Sequence, residues 1–212
     1  MTSLLTVDSR PGRTHAERRR DAEARILGAA FDIIAKRGLD HLTLADSGQN
    51  AGYSRALAAH YFGSREELVA AVARHAVSLY RDRLSLHRHT GSVGLEPLLQ
   101  MVTYYLDSTR GWPTKLRAFH EVTNAALRWP SIATVVAQIN TEAVERIALH
   151  VRTGQQSGEV RADADPIAEG IAISGAMRGI MNQWLVAPDN VDLDRVRDGY
   201  VATLRRGLTG RP

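Results

Sequence analysis

Thr43-Leu44-Ala45-Asp46-Ser47-Gly48-Gln49-Asn50-Ala51-Gly52-Tyr53-Ser54-Arg55-Ala56-Leu57-Ala58-Ala59-His60-Tyr61-Phe62 holds two helix starts and one turn. Thr43, with Asp46 three residues on, reads as a capping pair that opens a helix. Ala51-Gly52-Tyr53 breaks it, and Gly52 supplies the positive φ that a tight interhelical turn commonly needs. Ser54 then caps a second, short helix that runs to about Phe62 and ends at Gly63. Two helices joined by so tight a turn form a helix-turn-helix, which lays its second helix in the major groove of DNA. That helix offers Arg55, His60 and Tyr61 among small Ala residues, and small residues let a helix sit deep in a groove. The free N–H groups behind Ser54 favour a phosphate.

Working outward, Ile26, Ala30, Ile33 and Ile34 repeat at three- and four-residue spacing and predict a helix from Asp21. Gly38 ends it behind Lys36-Arg37. Residues 1–20 are polar and Arg-rich and contain Pro11-Gly12. They read as a flexible basic arm, with Arg10, Arg13, Arg18, Arg19 and Arg20 available to phosphates. Downstream, Ser64 and Glu67 form a capping box for a helix through Leu68, Val72, Ala76 and Leu79 to about His87. Residues 90–94 read as a linker, and Pro97 sits in the first turn of the next helix. Further helices are predicted from about Thr114 to Leu127, from Trp129-Pro130 to about Thr153, from Asp165-Pro166 to near Ala187, and from Asp192 to Gly207, with 154–158 a loop. No stretch alternates apolar and polar residues over strand length. The expected fold is all-α, with about nine helices. The expected division is an arm (1–20), a three-helix DNA-binding head (21–80) and a larger helical domain (81–212).

The net charge of +4 is unevenly placed. Residues 1–90 hold 14 Arg+Lys against 10 Asp+Glu, whereas 91–212 hold 13 against 13. The positive excess falls on the part with the turn motif, as an anionic partner would require. The absence of Cys excludes disulfides, thiolate metal sites and a Cys nucleophile, and fits a reducing cytoplasm. Neither a signal-peptide core nor a run of about 18 apolar residues occurs, so no membrane partner is expected. The most apolar long stretch, Ile167 to Ala187, is interrupted by Glu169 and Arg178.

Thr43, Ala51-Gly52, Ser54, Tyr61-Phe62, Ser64, Glu66 and Leu68 fall in register with the DNA-binding motif of the TetR-family transcriptional regulators, which this segment resembles. Arg65 stands where that family usually has Lys. The resemblance implies that Thr43, Ser54, Tyr61 and Arg65 hold phosphates. It makes Arg55 and His60 candidates for base edges or flanking phosphates, with Ala56 on the same surface. There are departures: Ser47 and Gly48 replace Ile and Ala, Ala56 replaces Gly, and Ala59 replaces a phosphate-contacting Tyr. A buried Ser47 is costly unless its hydroxyl bonds a backbone carbonyl. Phe62 reads as core beneath the motif, and Tyr61 as either core or contact.

By the same resemblance, residues 91–212 correspond to an effector-binding and dimerisation domain. The last two helices would form a four-helix bundle with a second copy through Ile173, Met177, Ile180, Trp184, Val196, Tyr200 and Leu204. Gly175 and Gly179 would allow close approach, although the same residues also fit the chain's own core. Tyr104, Tyr105, Trp112, Phe119 and Trp129 cluster with Met101, His120 and Asn124, so a small-molecule cavity is expected between Tyr104 and Trp129. Ordinary core packing is the competing reading.

No catalytic constellation emerges. His120-Glu121 lacks the second His of a zinc-protease helix, and His87-x-His89 is a weak metal hint at a helix end. No cofactor or metal site is expected. The resulting expectation is a cytoplasmic, homodimeric DNA-binding regulator that represses from a palindromic operator and answers to a small molecule. Control by a protein partner is the alternative. A helical enzyme with an accidental turn motif is the competitor from another class.

Overall fold

Thr14 opens the first helix, α1 (His15–Arg37), with a complete capping box: its hydroxyl accepts from the Glu17 N–H, and the Glu17 carboxylate accepts the Thr14 N–H at 2.8 Å. This corrects the expected arm. Residues 15–20 are helical because Thr14-x-x-Glu17 satisfies two backbone donors, a start signal upstream of the apolar repeat. The computed structural model describes residues 14–86 and 92–210. Arg10, Arg13 and the His87/His89 pair lie outside the described residues.

A 3-10 turn (Leu39–His41) leads to α2 (Leu44–Asn50), α3 (Arg55–Phe62) and α4 (Arg65–Leu86). After them come α5 (Leu95–Arg110), α6 (Pro113–Ala125), α7 (Pro130–Ser157), α8 (Pro166–Val186) and α9 (Leu193–Thr209). The described residues are all-α, as the sequence predicts. Three of the domain helices begin with Pro, where its missing N–H costs nothing. The helix from Pro130 is longer than expected. Residues 154–157 continue it because Val160 folds back on Gly154, where a Cβ would lie 2.5 Å from the valine methyl. The chain turns at Gly158 instead, at φ 77°.

Two apolar cores organise the chain. The first joins Ile33, Ile34, Leu39, Leu42, Leu68 and Val72 of the head to Ala118, Val122 and Ala125 of α6 and Ile132 and Val136 of α7. The second joins α5, the later half of α7, α8 and α9 around Leu98, Leu106, Ile147, Val151, Ile173 and Met181. The head therefore shares its interior with the start of the larger domain, and α6 reaches between them. Exposed Arg205–Glu96, Arg197–Asp107 and Arg110–Asp194 pairs tie α9 to α5, though each such pair contributes little by itself.

Candidate nucleic-acid interface and ligand pocket

The turn motif is built as its sequence demands. The Thr43 hydroxyl accepts the Asp46 N–H at 2.9 Å and donates to the Asp46 carboxylate at 2.8 Å. Ser54 accepts the Leu57 N–H at 3.2 Å. Gly52 lies at φ 79°, and the Tyr53 N–H returns to the Gly48 carbonyl at 2.8 Å. Ser47 is fully buried, and its hydroxyl donates to the Thr43 carbonyl at 2.7 Å, the bond its burial requires. Gly48 is the close-approach position: a Cβ there would lie 2.8 Å from the Ser54 carbonyl oxygen and 3.2 Å from the Ala58 Cβ. Thus α2 and α3 meet through small residues on both sides.

On α3, Arg55, Ala56, Ala59 and His60 are exposed, as is the capping Ser54. Ala58 is buried, and Phe62 packs against the head core. Tyr61 is half-buried beside His60, with ring centroids 5.6 Å apart. The Arg19 guanidinium of α1 stands over the Tyr61 ring, 5.5 Å from its centroid, and pairs with Glu23 at 2.8 Å. The first turns of α1 therefore carry exposed Arg18, Arg19 and Arg20 to the flank of α3 on a helix. Sequence reasoning found these arginines but missed their helical mounting.

Arg65 departs from its expected role. Its Nε donates to the Leu42 carbonyl at 2.8 Å and one Nη to the Leu39 carbonyl at 2.7 Å, while the guanidinium lies 4.9 Å from the Trp129 ring centroid. A guanidinium so committed braces the head against the larger domain rather than facing a phosphate. Glu66 continues this brace by accepting from Ser131 at 3.2 Å. Trp129, expected at a ligand site, belongs to this contact.

One pocket among the described residues overlaps the expected cavity in part. A pocket of about 530 Å³ lies between α6, α7 and α8, lined by His120, Thr123 and Asn124, by Ala126 and Leu127, by Ala133, Val136, Ala137 and Asn140, and by Gly175, Arg178, Gly179 and Asn182. His120 and Asn124 line it as anticipated, but none of the large aromatics does. Phe119 and Trp129 pack on the first core, Tyr105 and Met101 belong to the second, and Trp112 stacks with Lys115 at 4.5 Å. Tyr104 is half-buried outside the lining. Large rings had stronger uses as filler for two cores than as pocket walls.

Arg178 reaches this pocket from the helix that holds the most apolar long stretch, and sequence reasoning gave it no role. Its guanidinium donates to Asn140 Oδ1 at 2.8 Å and to the Ser174 hydroxyl at 3.2 Å. Its interruption of the most apolar stretch was the available signal. His120 is 8 % exposed, and its Nε2 is buried without a hydrogen-bond partner. Burial, and then the neighbouring Arg178 cation, push the His120 imidazole below its ordinary protonation range.

Of the residues expected at a dimer face, Ile173, Met177 and Leu204 are buried in the chain's own second core, where a partner cannot reach them. Ile180, Trp184 and Tyr200 pack on its margin, and Val196 is half-buried. The face of α8 that remains open carries Ile171, Gly175, Gly179 and Val186, the last 79 % exposed. A Cβ at either glycine would meet nothing within 4 Å.

No helix among the described residues is long and apolar enough to cross a membrane. Comparison with known proteins agrees with the geometry. Residues 26–72 match the bacterial regulatory proteins of the tetR family, and residues 95–209 match the C-terminal domain of the BetI-type transcriptional repressor. The chain is 25 % identical over 184 residues to the probable HTH-type transcriptional regulator ArpR of Pseudomonas putida, covering 84 % of this chain and 86 % of that protein. A putative TetR-family regulator from Rhodococcus sp. superposes with a TM-score of 0.77 at 20 % identity, over 89 % of this chain and 99 % of its own. A putative regulator from Saccharomonospora viridis, solved in complex with choline, also gives 0.77, at 24 % identity over 89 % and 98 %. With a capped helix-turn-helix mounted on a helical domain that matches over more than half of the sequence, the chain belongs to the TetR family of DNA-binding transcriptional regulators.

Proposed function

We propose that this regulator is a homodimeric, cytoplasmic repressor whose hold on a palindromic operator is set by a small molecule in the α6–α8 pocket. The observation that carries the reading is the position of α6. His120 of that helix lines the pocket, and the next residue, Glu121, accepts the Leu39 N–H of the head at 2.6 Å. A ligand that moves α6 has a direct mechanical handle on the recognition unit. The choline-bound neighbour supports a small molecule as the effector class. Dimerisation is supported by the open face of α8, which presents the exposed Ile171 and Val186. Two heads related by a two-fold axis read half-sites about 34–36 Å apart or a little more. Within each, Arg55 and His60 read base edges, and Thr43, Ser54 and Tyr61 hold phosphates, a reading supported by the exposure of Ser54, Arg55 and His60. Thr43 and Ser54 also serve as caps, so their DNA role is added to a structural one.

A reporter gene behind a promoter that overlaps a palindrome the protein binds tests the proposal. Expression of the regulator should lower its output, and Arg55→Ala should restore it. Unchanged or increased output with the intact protein would rule out repression.

A further inference from the structure

The polar chemistry of the α6–α8 pocket is cationic and donor-rich. Arg178 has five N–H groups, of which two are used, both on neutral oxygens. No carboxylate among the described residues lies within ion-pairing distance of it. Glu169, the other charge of α8, is taken by Arg161 at 3.3 Å. A half-buried guanidinium without an anion is costly to keep, and so is the buried, unpartnered Nε2 of His120 beside it. The lining holds no Asp, Glu, Phe, Tyr or Trp. A quaternary ammonium ligand is recognised by an aromatic cage or by carboxylates, and this pocket offers neither. Thr123, Asn124, Asn140 and Asn182 add neutral polar groups, and Ala126, Leu127, Ala133, Val136 and Ala137 form an apolar wall free of bulky rings.

From these features we infer that the effector is a small monocarboxylate whose apolar tail lies along the α7 wall while its carboxylate pairs with Arg178 and accepts from His120 Nε2–H. The inference rests on the ligand-responsive reading above and gives that ligand a chemical class. Charge-assisted bonds to a guanidinium supply both affinity and orientation. The volume suits a ligand of modest size. A neutral imidazole in the Nε2–H tautomer is the form that donates to a carboxylate. Burial and the nearby cation both favour the neutral form.

The test is calorimetric titration of the full chain with acetate, hexanoate, decanoate, benzoate and 3-phenylpropanoate. Their methyl esters and choline serve as controls. At least one acid is expected to bind with a dissociation constant below the millimolar range. Its ester should bind at least about tenfold more weakly, as should the acid to Arg178→Met. Arg178→Lys keeps the charge and should recover part of the loss, which a variant that merely misfolds would not. Operator release is measured in parallel. If no acid binds, if ester and acid bind alike, or if choline binds and Arg178→Met leaves it unaffected, the carboxylate class is wrong. The ligand-responsive reading fails separately, if a bound acid leaves operator affinity unchanged.

Discussion

Glu121 of α6 accepts the backbone N–H of Leu39 at 2.6 Å, joining residues 82 apart in sequence at the point where the head meets the larger domain. Arg65 grips the same turn by donating to the Leu39 and Leu42 carbonyls, and its guanidinium reaches the Trp129 ring of the larger domain at 4.9 Å. The 3-10 turn before the recognition unit is thus held on its N–H side by an anion and on its carbonyl side by a cation. Glu121→Ala should lower stability by about 1.5–3 kcal/mol, since a hydrogen bond to a charged group is lost. Glu121→Gln should lose less, because the amide oxygen still accepts. Urea midpoints of the two variants check this, and an unchanged midpoint for Glu121→Ala would refute it.

Arg55 and Arg65 should separate cleanly. Arg55→Ala should leave the thermal midpoint within the small range of surface substitutions. It should cost about 1–3 kcal/mol of discrimination at one base pair if Arg55 reads a base edge. A uniform loss of affinity, with the salt slope reduced by about 1, would mean that it holds a phosphate. Arg65→Lys should instead lower the midpoint, because an ammonium cannot reproduce the planar fork over Trp129. Binding titrations at several salt concentrations, with melting curves, distinguish the two residues.

Gly48→Ala should destabilise the head by about 1–3 kcal/mol, since the added methyl meets the Ser54 carbonyl and Ala58. For a chain of this length that is a fall of roughly 2–4 °C per kcal/mol. Operator affinity should drop with it, because the contact sets the angle between α2 and α3. Equal melting temperatures for the two proteins would contradict the packing described.

How much of this was legible in the residues follows from the range of the forces involved. Caps, the Gly52 turn and the Ser47 hydroxyl bond act within four residues, so Thr43, Asp46, Ser47 and Ser54 could be read directly. The start of α1 was equally local, but the Thr14–Glu17 box was hidden by the surrounding arginines. Arg65 and Glu121, and Arg178 in its bond to Asn140, find partners across 23 to 82 residues, and nothing in their neighbourhoods names those partners. The aromatics were misplaced for the same reason. Their size marks burial, while the choice between a core and a pocket is made by tertiary packing.

Acid should weaken the fold before its carboxylates titrate. Burial leads the causes that push His75, His120 and His150 below the ordinary imidazole value of 6.5. Lys115, Arg178 and Arg146 respectively add to it, and a Gly94 backbone bond opposes it at His150. The unfolded chain therefore binds protons that the folded one refuses, so stability is full above the unfolded value and declines as pH falls through about 6.5 toward the folded values. Urea midpoints at pH 7.5 and 5.5 (values chosen to bracket about 6.5) should show a loss. An equal or higher midpoint at the lower pH would contradict it.

An open α8 face predicts a dimer that one charge can split. Ile171→Arg should give monomers in sedimentation and weaken operator binding, because each half-site then contributes alone. An unchanged dimer would move the interface elsewhere.

On the proposed reading, α2 and α3 of two copies read DNA by sequence as a symmetric pair. Selection of bound fragments from a random duplex library tests it most directly. Enrichment of a palindrome, with log affinity for it falling linearly against log salt, is the predicted result. Recovery of duplexes with no shared sequence, or of a single site without two-fold symmetry, would contradict it.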